Sequence, residues 1–153
     1  MRRSDKEIND PEVIQEIFQE ADVCRIALID GNEPYVVPMN FGYKDNILYL
    51  HSASEGRKIE ILKQNNNTCF QMDIKSELVA SASPCNWGMK YLSLIGQGKA
   101  YVISNIPEKK DALDVIMGKY SPEASFEYSD DAINEVVVIK VNIDSVTGKK
   151  SGY

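Results

Sequence analysis

One segment of the chain combines a histidine, hydroxyl side chains and two cations, and it reads His51-Ser52-Ala53-Ser54-Glu55-Gly56-Arg57-Lys58. It joins a predicted strand to a predicted helix, so the turn exposes backbone N–H groups at the positive end of the helix. Ser52 adds a hydroxyl, and Arg57 and Lys58 add charge, which together predict a cradle for a phosphate group. The same two cations also suit the solvated face of an amphipathic helix, and both interpretations stay open at this point.

His51 is the single histidine of the chain. A lone histidine at a strand end is more often structural, or a hydrogen-bond donor to a ligand, than a catalytic base. The three cysteines, Cys24, Cys69 and Cys85, are widely spaced, which is unlike a disulfide framework or a zinc site. We therefore predict reduced thiols and no metal site.

The elements that position these residues follow from the spacing of apolar side chains. Helices are predicted from Pro11 to Ala21, from Glu55 to Gln64 and from Pro107 to Tyr120. Strands are predicted at Val23–Asp30, Tyr35–Tyr43, Ile47–His51, Thr68–Lys75, Lys90–Ser104 and Glu135–Ile143. The pattern leaves Leu78–Ala82 as an extension of the fourth strand or a new one, Ser121–Asp131 as irregular, and Thr147–Tyr153 as a polar tail.

Consecutive strands of this kind predict a mainly β fold, a small antiparallel barrel with peripheral helices, in one domain over residues 1–153. Pro38 cannot donate to a strand ladder, so its strand is expected to lie at an edge, to bulge or to face a ligand with its backbone. Gly96 and Gly98 are expected to mark bends or bulges in the long strand.

The net charge and the hydropathy of the chain argue against nucleic-acid binding and against a membrane-spanning segment. The chain of 153 residues has a formal net charge of −6, which disfavours a protein that coats nucleic-acid phosphates. No apolar run exceeds four residues, whereas a membrane helix needs about 20. With no apolar segment after the charged start, we expect no secretion and a cytoplasmic location.

Several runs, taken in order, carry a family resemblance. They are Pro34–Tyr43, Leu50–Ala53 with Gly56-Arg57-Lys58, Cys85-Asn86-Trp87, and Ser93–Ala100. In this combination the chain resembles, over essentially its whole length, the nitroimidazole-resistance proteins within the pyridoxamine-phosphate-oxidase-like flavin-binding split barrels. The resemblance implies a six-stranded split barrel that forms a homodimer and holds FMN in clefts at the subunit interface.

The resemblance also assigns roles to residues. It implies that four residues of the second strand run beside the isoalloxazine ring, namely Val37, Pro38, Met39 and Asn40. It implies that His51 and Ser52 reach the ribityl chain and the phosphate, while Arg57 and Lys58 neutralise the phosphate. Ser93 is then contributed by the partner subunit, and Trp87 and Tyr91 cover the ring.

The function implied is that of an FMN-dependent oxidoreductase that reduces nitroaromatic or quinone-like small-molecule acceptors. Two alternatives stay open: a flavin-binding carrier, sensor or regulator without turnover, and a split barrel that holds FAD or a haem with His51 as an iron ligand. The pyridoxamine-phosphate oxidases have a longer C-terminal region with Trp and Arg residues, whereas this chain reads Ser151-Gly152-Tyr153. Oxidation of pyridoxamine phosphate is therefore not expected.

Overall fold

A computed structural model describes residues 3–122 and 125–153, which form one antiparallel sheet with helices packed outside it. Short 3-10 turns at Ser4–Lys6 and Pro84–Asn86 accompany the regular elements. In chain order these are β1 (Glu7–Ile8), α1 (Pro11–Glu20), β2 (Cys24–Asp30), β3 (Glu33–Met39), β4 (Phe41–Lys44), β5 (Ile47–Ala53), α2 (Arg57–Gln64), β6 (Asn67–Val79), β7 (Gly88–Ile103), α3 (Ile106–Tyr120), α4 (Asp130–Glu135) and β8 (Val136–Ser151).

The order of the strands makes the sheet a barrel. It runs β3-β2-β6-β7-β8-β5-β4, with β1 beside β8, and all of its pairs are antiparallel. β3 and β4 lie at opposite ends of this order, yet only Asn40 separates them in the chain. The sheet must therefore curl until its two ends meet at Asn40. This confirms the predicted mainly β, antiparallel barrel with peripheral helices.

The number of strands differs from the prediction. The described residues contain eight strands rather than six, although β1 has only two residues. The predicted strand Tyr35–Tyr43 is divided at Asn40, because the residues before it pair with β2 and those after it pair with β5. Pairing with different neighbours requires a change of direction that the apolar pattern does not reveal.

The predicted polar tail is wrong. β8 continues to Ser151, and its polar second half pairs with β7 as far as Tyr91 opposite Ser151. A ladder supplies backbone hydrogen bonds whatever the side chains are, so this part of the strand needs no apolar alternation. Likewise, Leu78 extends β6, which ends at Val79. Within the predicted irregular segment, α4 begins at Asp130, while residues 123 and 124 lie outside the described residues.

Pro38 and Gly98 behave as the sequence predicts. β3 pairs with β2 alone, so Pro38 stands in an edge strand, where its missing N–H costs no ladder bond on the open side. The β7–β8 register shifts between Gln97 and Gly98, which confirms a bulge at that glycine.

The core fills the barrel with alternate side chains of its strands. The largest buried ones, each stabilising the fold by about 1.5–3 kcal/mol, include Phe41, Leu48, Leu50, Phe70, Met72 and Leu94. α1 covers one side, starting where the Asp10 carboxylate accepts a hydrogen bond from the Glu12 N–H at 2.9 Å. Its Phe18 ring stacks on Tyr43, with ring centroids 3.8 Å apart.

α3 holds the junction at which β3 becomes β4. The Tyr120 hydroxyl accepts a hydrogen bond from the Phe41 N–H at 3.0 Å and donates one to the Asp22 carbonyl at 2.8 Å. The junction at Asn40 is therefore fixed by a helix on the outside of the barrel. None of the helices in residues 3–122 and 125–153 is long and apolar enough to cross a membrane.

Candidate functional site

Two open strand edges diverge from Asn40. β4 covers β5 only from Ile47 to Leu50, so residues 51–53 extend past β4 and pair with β8 alone. Because β4 and β5 are antiparallel, residues 51–53 run back beside β3, which is itself open on one side. The backbone N–H and C=O groups along these two edges are available to a ligand. We call the space between them the edge cleft.

α2 begins at the end of this cleft without a side-chain cap. Its N-cap residue is Gly56, whose φ of 129° is a conformation that side chains strongly disfavour. The Gly56 carbonyl accepts hydrogen bonds from the N–H groups of Ile59 and Glu60, at 2.9 and 3.3 Å. The N–H groups of Arg57 and Lys58 find no acceptor among the described residues. The other described helices are each capped by a side chain, that of Asp10, Asn105 or Ser129.

Arg57 is held by the turn between β2 and β3. Its Nε donates to Asp30 Oδ2 at 2.7 Å, Nη2 lies 3.5 Å from Glu33 Oε2, and the guanidinium carbon lies 4.8 Å from the centroid of the Tyr35 ring. The sequence does not predict these partners, because Asp30 is 27 residues away from Arg57 in the chain. The only sequence pattern at Asp30 is a turn motif. The guanidinium remains half exposed.

Lys58 differs from its neighbour. It is half-buried, and its side chain makes no hydrogen bond or ion pair with any described residue. Lys58 is thus an unpaired cation in the same first turn of α2 in which two N–H groups lack acceptors. A phosphate monoester is the kind of charged acceptor that an unpaired lysine and the N–H groups of a helix start bind. With Gly56 and the start of α2, Lys58 forms what we call the phosphate cradle.

His51 and Ser52 lie on opposite sides of β5. His51 is exposed and makes no hydrogen bond through its side chain among the described residues. Ser52 is buried, and its hydroxyl donates to the Ala53 carbonyl at 3.0 Å. The structure therefore leaves His51 free to meet a ligand at the cleft, whereas Ser52 would have to give up a local hydrogen bond to do so.

The four residues predicted to lie beside the isoalloxazine ring also alternate between core-facing and exposed side chains. Val37 and Met39 pack against the barrel core, while Pro38 and Asn40 are exposed. Only the backbone of this edge and the exposed pair can therefore border the cleft. Arg57 contacts Glu33 and Tyr35 at the start of β3, so the β5 edge and the start of α2 lie along the same strand as this group.

A second group lies elsewhere in the structure. Ser93 and Tyr91 line a groove of about 310 Å³ on the outer face of the sheet, next to Lys149. The Ser93 hydroxyl lies 3.5 Å from the Lys149 carbonyl, and the Lys149 ammonium lies 5.8 Å from the centroid of the Tyr91 ring. Trp87 is exposed near the end of the β6–β7 hairpin, where its indole N–H donates to the Ser81 carbonyl at 2.6 Å.

The two groups stand at opposite ends of β8. His51 pairs with Val138, and Ser93 pairs with Lys149, so the separation along β8 is 149 − 138 = 11 residues. At a rise of about 3.3 Å per residue this is on the order of 35 Å along the strand. The fold of the single chain does not bring Ser93, Tyr91 and Trp87 to the edge cleft.

The cysteines stay outside both groups, and their environments predict very different reactivity. Burial is the main cause that raises the pKa of Cys24 to about 12, whereas Cys85 is exposed. Because the thiolate is the reactive form, we expect a disulfide reagent at pH 8 to modify Cys85 rapidly and Cys24 only after denaturation. Mass analysis of the labelled peptides checks this, and rapid labelling of Cys24 in the folded protein would contradict the buried position.

No cluster of three or more His, Cys, Asp or Glu side chains among residues 3–122 and 125–153 is arranged to hold a metal ion. The features that stand out chemically are therefore the edge cleft and the phosphate cradle. The phosphate cradle was indicated by residues 51–58 in the sequence, and the open strand edges that define the cleft are what the tertiary structure adds.

Comparison with known proteins places this geometry in context. A family model described as pyridoxamine 5'-phosphate oxidase matches residues 10–150. A crystal structure from Bacteroides thetaiotaomicron, of a protein named as a candidate 5-nitroimidazole antibiotic resistance protein, is 43% identical and superimposes with a TM-score of 0.85. The match covers 94% of this chain and 86% of that chain. A search of curated proteins finds no match.

Two more distant structures share the fold. A flavocytochrome from Azotobacter vinelandii is 20% identical with a TM-score of 0.86, and the match covers 100% of this chain and 72% of that one. A FAD and haem binding protein from Mycobacterium smegmatis is 17% identical with a TM-score of 0.87, covering 97% and 74%. At these identities the likeness shows the fold alone.

Proposed function

Because the chain belongs to the pyridoxamine 5'-phosphate oxidase family, we propose that it is a flavoprotein that holds FMN in the edge cleft. The observation that carries this proposal is the phosphate cradle: the uncapped start of α2, with two N–H groups lacking acceptors, stands beside the unpaired Lys58. These donors fit one terminal phosphate, which favours FMN over FAD. To the exposed His51, which precedes the cradle on the same strand edge, we assign the ribityl part of the same ligand.

The open edge of β3 suits the polar edge of the isoalloxazine ring. Pro38 and Asn40 are exposed there, and the backbone groups on the open side of this strand have no partner strand. When bound, the flavin supplies the electron transfer, so the protein needs only to orient it and to admit an acceptor. No side chain has to act as an acid or base, and we assign none.

For the acceptor we propose a nitroaromatic or quinone-like small molecule. The support is the 43% identity to a protein named for 5-nitroimidazole resistance, together with an edge cleft that is exposed to solvent at His51 and Pro38. The cytoplasmic location indicated by the composition stays a prediction.

We further propose that the site is shared between two copies of the chain. Ser93 lies too far along β8 from His51 for one flavin to contact both within a protomer, if the role implied for Ser93 holds. Three apolar side chains on the outer face of the sheet, Ile29, Val36 and Ile95, are about half exposed and would be covered by a second copy.

The first experiment is an absorbance spectrum of the purified protein, with mass analysis of whatever heat releases. Two flavin bands and the mass of FMN support the proposal, whereas a sharp Soret band indicates haem and makes His51 the candidate iron ligand. A colourless protein that binds no added flavin contradicts it. Anaerobic reduction by NADH or NADPH, followed by reoxidation with a nitroimidazole, then separates an oxidoreductase from a carrier, which is reduced without acceptor turnover.

The shared site has its own test in mixed dimers. Protomers with Lys58→Ala and protomers with Ser93→Arg each bind FMN weakly when alone, because each removes one half of every site. After unfolding and refolding together, mixed dimers regain one intact site, so we expect about half of the mixed dimers' FMN capacity to return. The absence of recovery, or a monomer by light scattering, would show that the site is not shared.

A further inference from the structure

Arg57 makes its contacts with carboxylates along one edge of its guanidinium only. Nε donates to Asp30 at 2.7 Å, and Nη2, on the same edge, lies 3.5 Å from Glu33. Tyr35 lies against the planar face, 4.8 Å from the guanidinium carbon. Nη1, on the opposite edge, makes no hydrogen bond or ion pair with a described residue. The side chain is therefore oriented by three neighbours, and the donors of its free edge are not used.

These contacts with Asp30 and Glu33 change what Arg57 can contribute to a phosphate site. Two carboxylates already offset its positive charge, so it adds direction more than net attraction, and Lys58 supplies the uncompensated charge. An unrestrained arginine has many accessible rotamers, and fixing one of them on binding costs conformational entropy. Ordering the side chain before the ligand arrives removes much of that cost from binding.

From this geometry we infer that Asp30 is a positioning residue of the phosphate cradle, which holds Arg57 so that the free edge of its guanidinium can donate to the FMN phosphate. The inference rests on the proposed function and deepens it by adding a residue from a different element. Asp30 ends β2 and is followed by the turn at Gly31. The hydrogen bond between Asp30 and Arg57 therefore also joins the β2–β3 hairpin to the first turn of α2.

The test compares two ligands that differ only in the phosphate, FMN and riboflavin. In Asp30→Asn, one strong hydrogen bond to Arg57 weakens while the side chain keeps its size. We expect FMN affinity to fall roughly five- to tenfold and riboflavin affinity to stay unchanged. Glu33→Gln is the matched control: its contact is longer and its carboxylate is mostly exposed, so we expect a smaller loss.

A double-mutant cycle shows whether Asp30 acts through Arg57. In an Arg57→Ala background, Asp30→Asn should cause no further loss of FMN affinity, because the group that it positions is gone. Equal losses with and without Arg57, or equal losses for FMN and riboflavin, would show a merely structural role.

A gain in FMN affinity on Asp30→Asn would also overturn the inference, since it would mean that the carboxylate competes with the phosphate. Failure of the proposed function looks different, because the unaltered protein would then bind neither FMN nor riboflavin. Fluorescence titration of the unaltered protein with both flavins, made before any variant, distinguishes these two failures.

Discussion

Lys58→Ala weakens FMN binding roughly tenfold or more and leaves riboflavin binding unchanged; this is the expected result if the phosphate cradle is correctly assigned. A charge-assisted hydrogen bond contributes about 1.5–3 kcal/mol, which corresponds to roughly tenfold to over a hundredfold in affinity. Lys58 has no other partner among the described residues, so its removal exposes no carboxylate and should not disturb folding. Dissociation constants from quenching of flavin fluorescence measure the effect.

The matched control is another lysine of the same helix. Lys63 lies in the last turn of α2 and pairs with Glu60 at 2.7 Å, away from the helix start. Lys63→Ala should leave FMN affinity within about twofold, since a surface pair of this kind contributes little. The double variant Arg57→Ala with Lys58→Ala should lose more FMN affinity than either single variant. Unchanged affinity in the double variant would refute the cradle.

Gly96→Ala destabilises the fold by about 2 kcal/mol or more, within the range typical of overpacked cores. Gly96 sits on the inner face of β7, opposite the fully buried Phe70. An added Cβ would lie well inside van der Waals contact with the Phe70 ring, which is fully buried in the core, and protein interiors are close-packed. We expect a lower denaturant midpoint with an unchanged slope, measured on the protein without added flavin.

Two further variants make this prediction specific. Gly88 lies in the same strand, and an added Cβ there meets no atom within 4 Å, so Gly88→Ala should change stability by less than about 0.5 kcal/mol. Combining Gly96→Ala with Phe70→Leu should restore part of the loss, because the smaller side chain gives room for the methyl group. If Gly96→Ala is as harmless as Gly88→Ala, the packing of Phe70 over Gly96 is wrong.

Local chemistry accounts for the parts of the fold that could be predicted from the chain. Asp10 and Pro11 start a helix because a carboxylate caps an N–H and proline lacks one, and the structure has α1 there. The strands β2, β5, β6 and β7 follow from the pattern of apolar side chains, which depends only on neighbours in the sequence. The 51–58 segment indicates a phosphate cradle for the same reason, since a strand, a turn and a helix start are contiguous.

Other features depend on pairing between distant segments. Asn40 divides one apparent strand because its two sides pair with different partners, and the polar half of β8 is extended because β7 lies beside it. Neither pairing leaves a pattern in the residues themselves. Asp30 meets Arg57 across 27 positions for the same reason.

Hydrophobic periodicity and helix capping depend on neighbouring residues. The sequence alone therefore predicts the type of most elements, the barrel class and the cationic segment. Four features arise only on folding. They are the closure of the barrel at Asn40, the open edges of the cleft, the hydrogen bond from Arg57 to Asp30, and the separation of Ser93 from His51. They are set by how strands pair and curl over long sequence distances, where many registers satisfy the same apolar pattern and packing selects one.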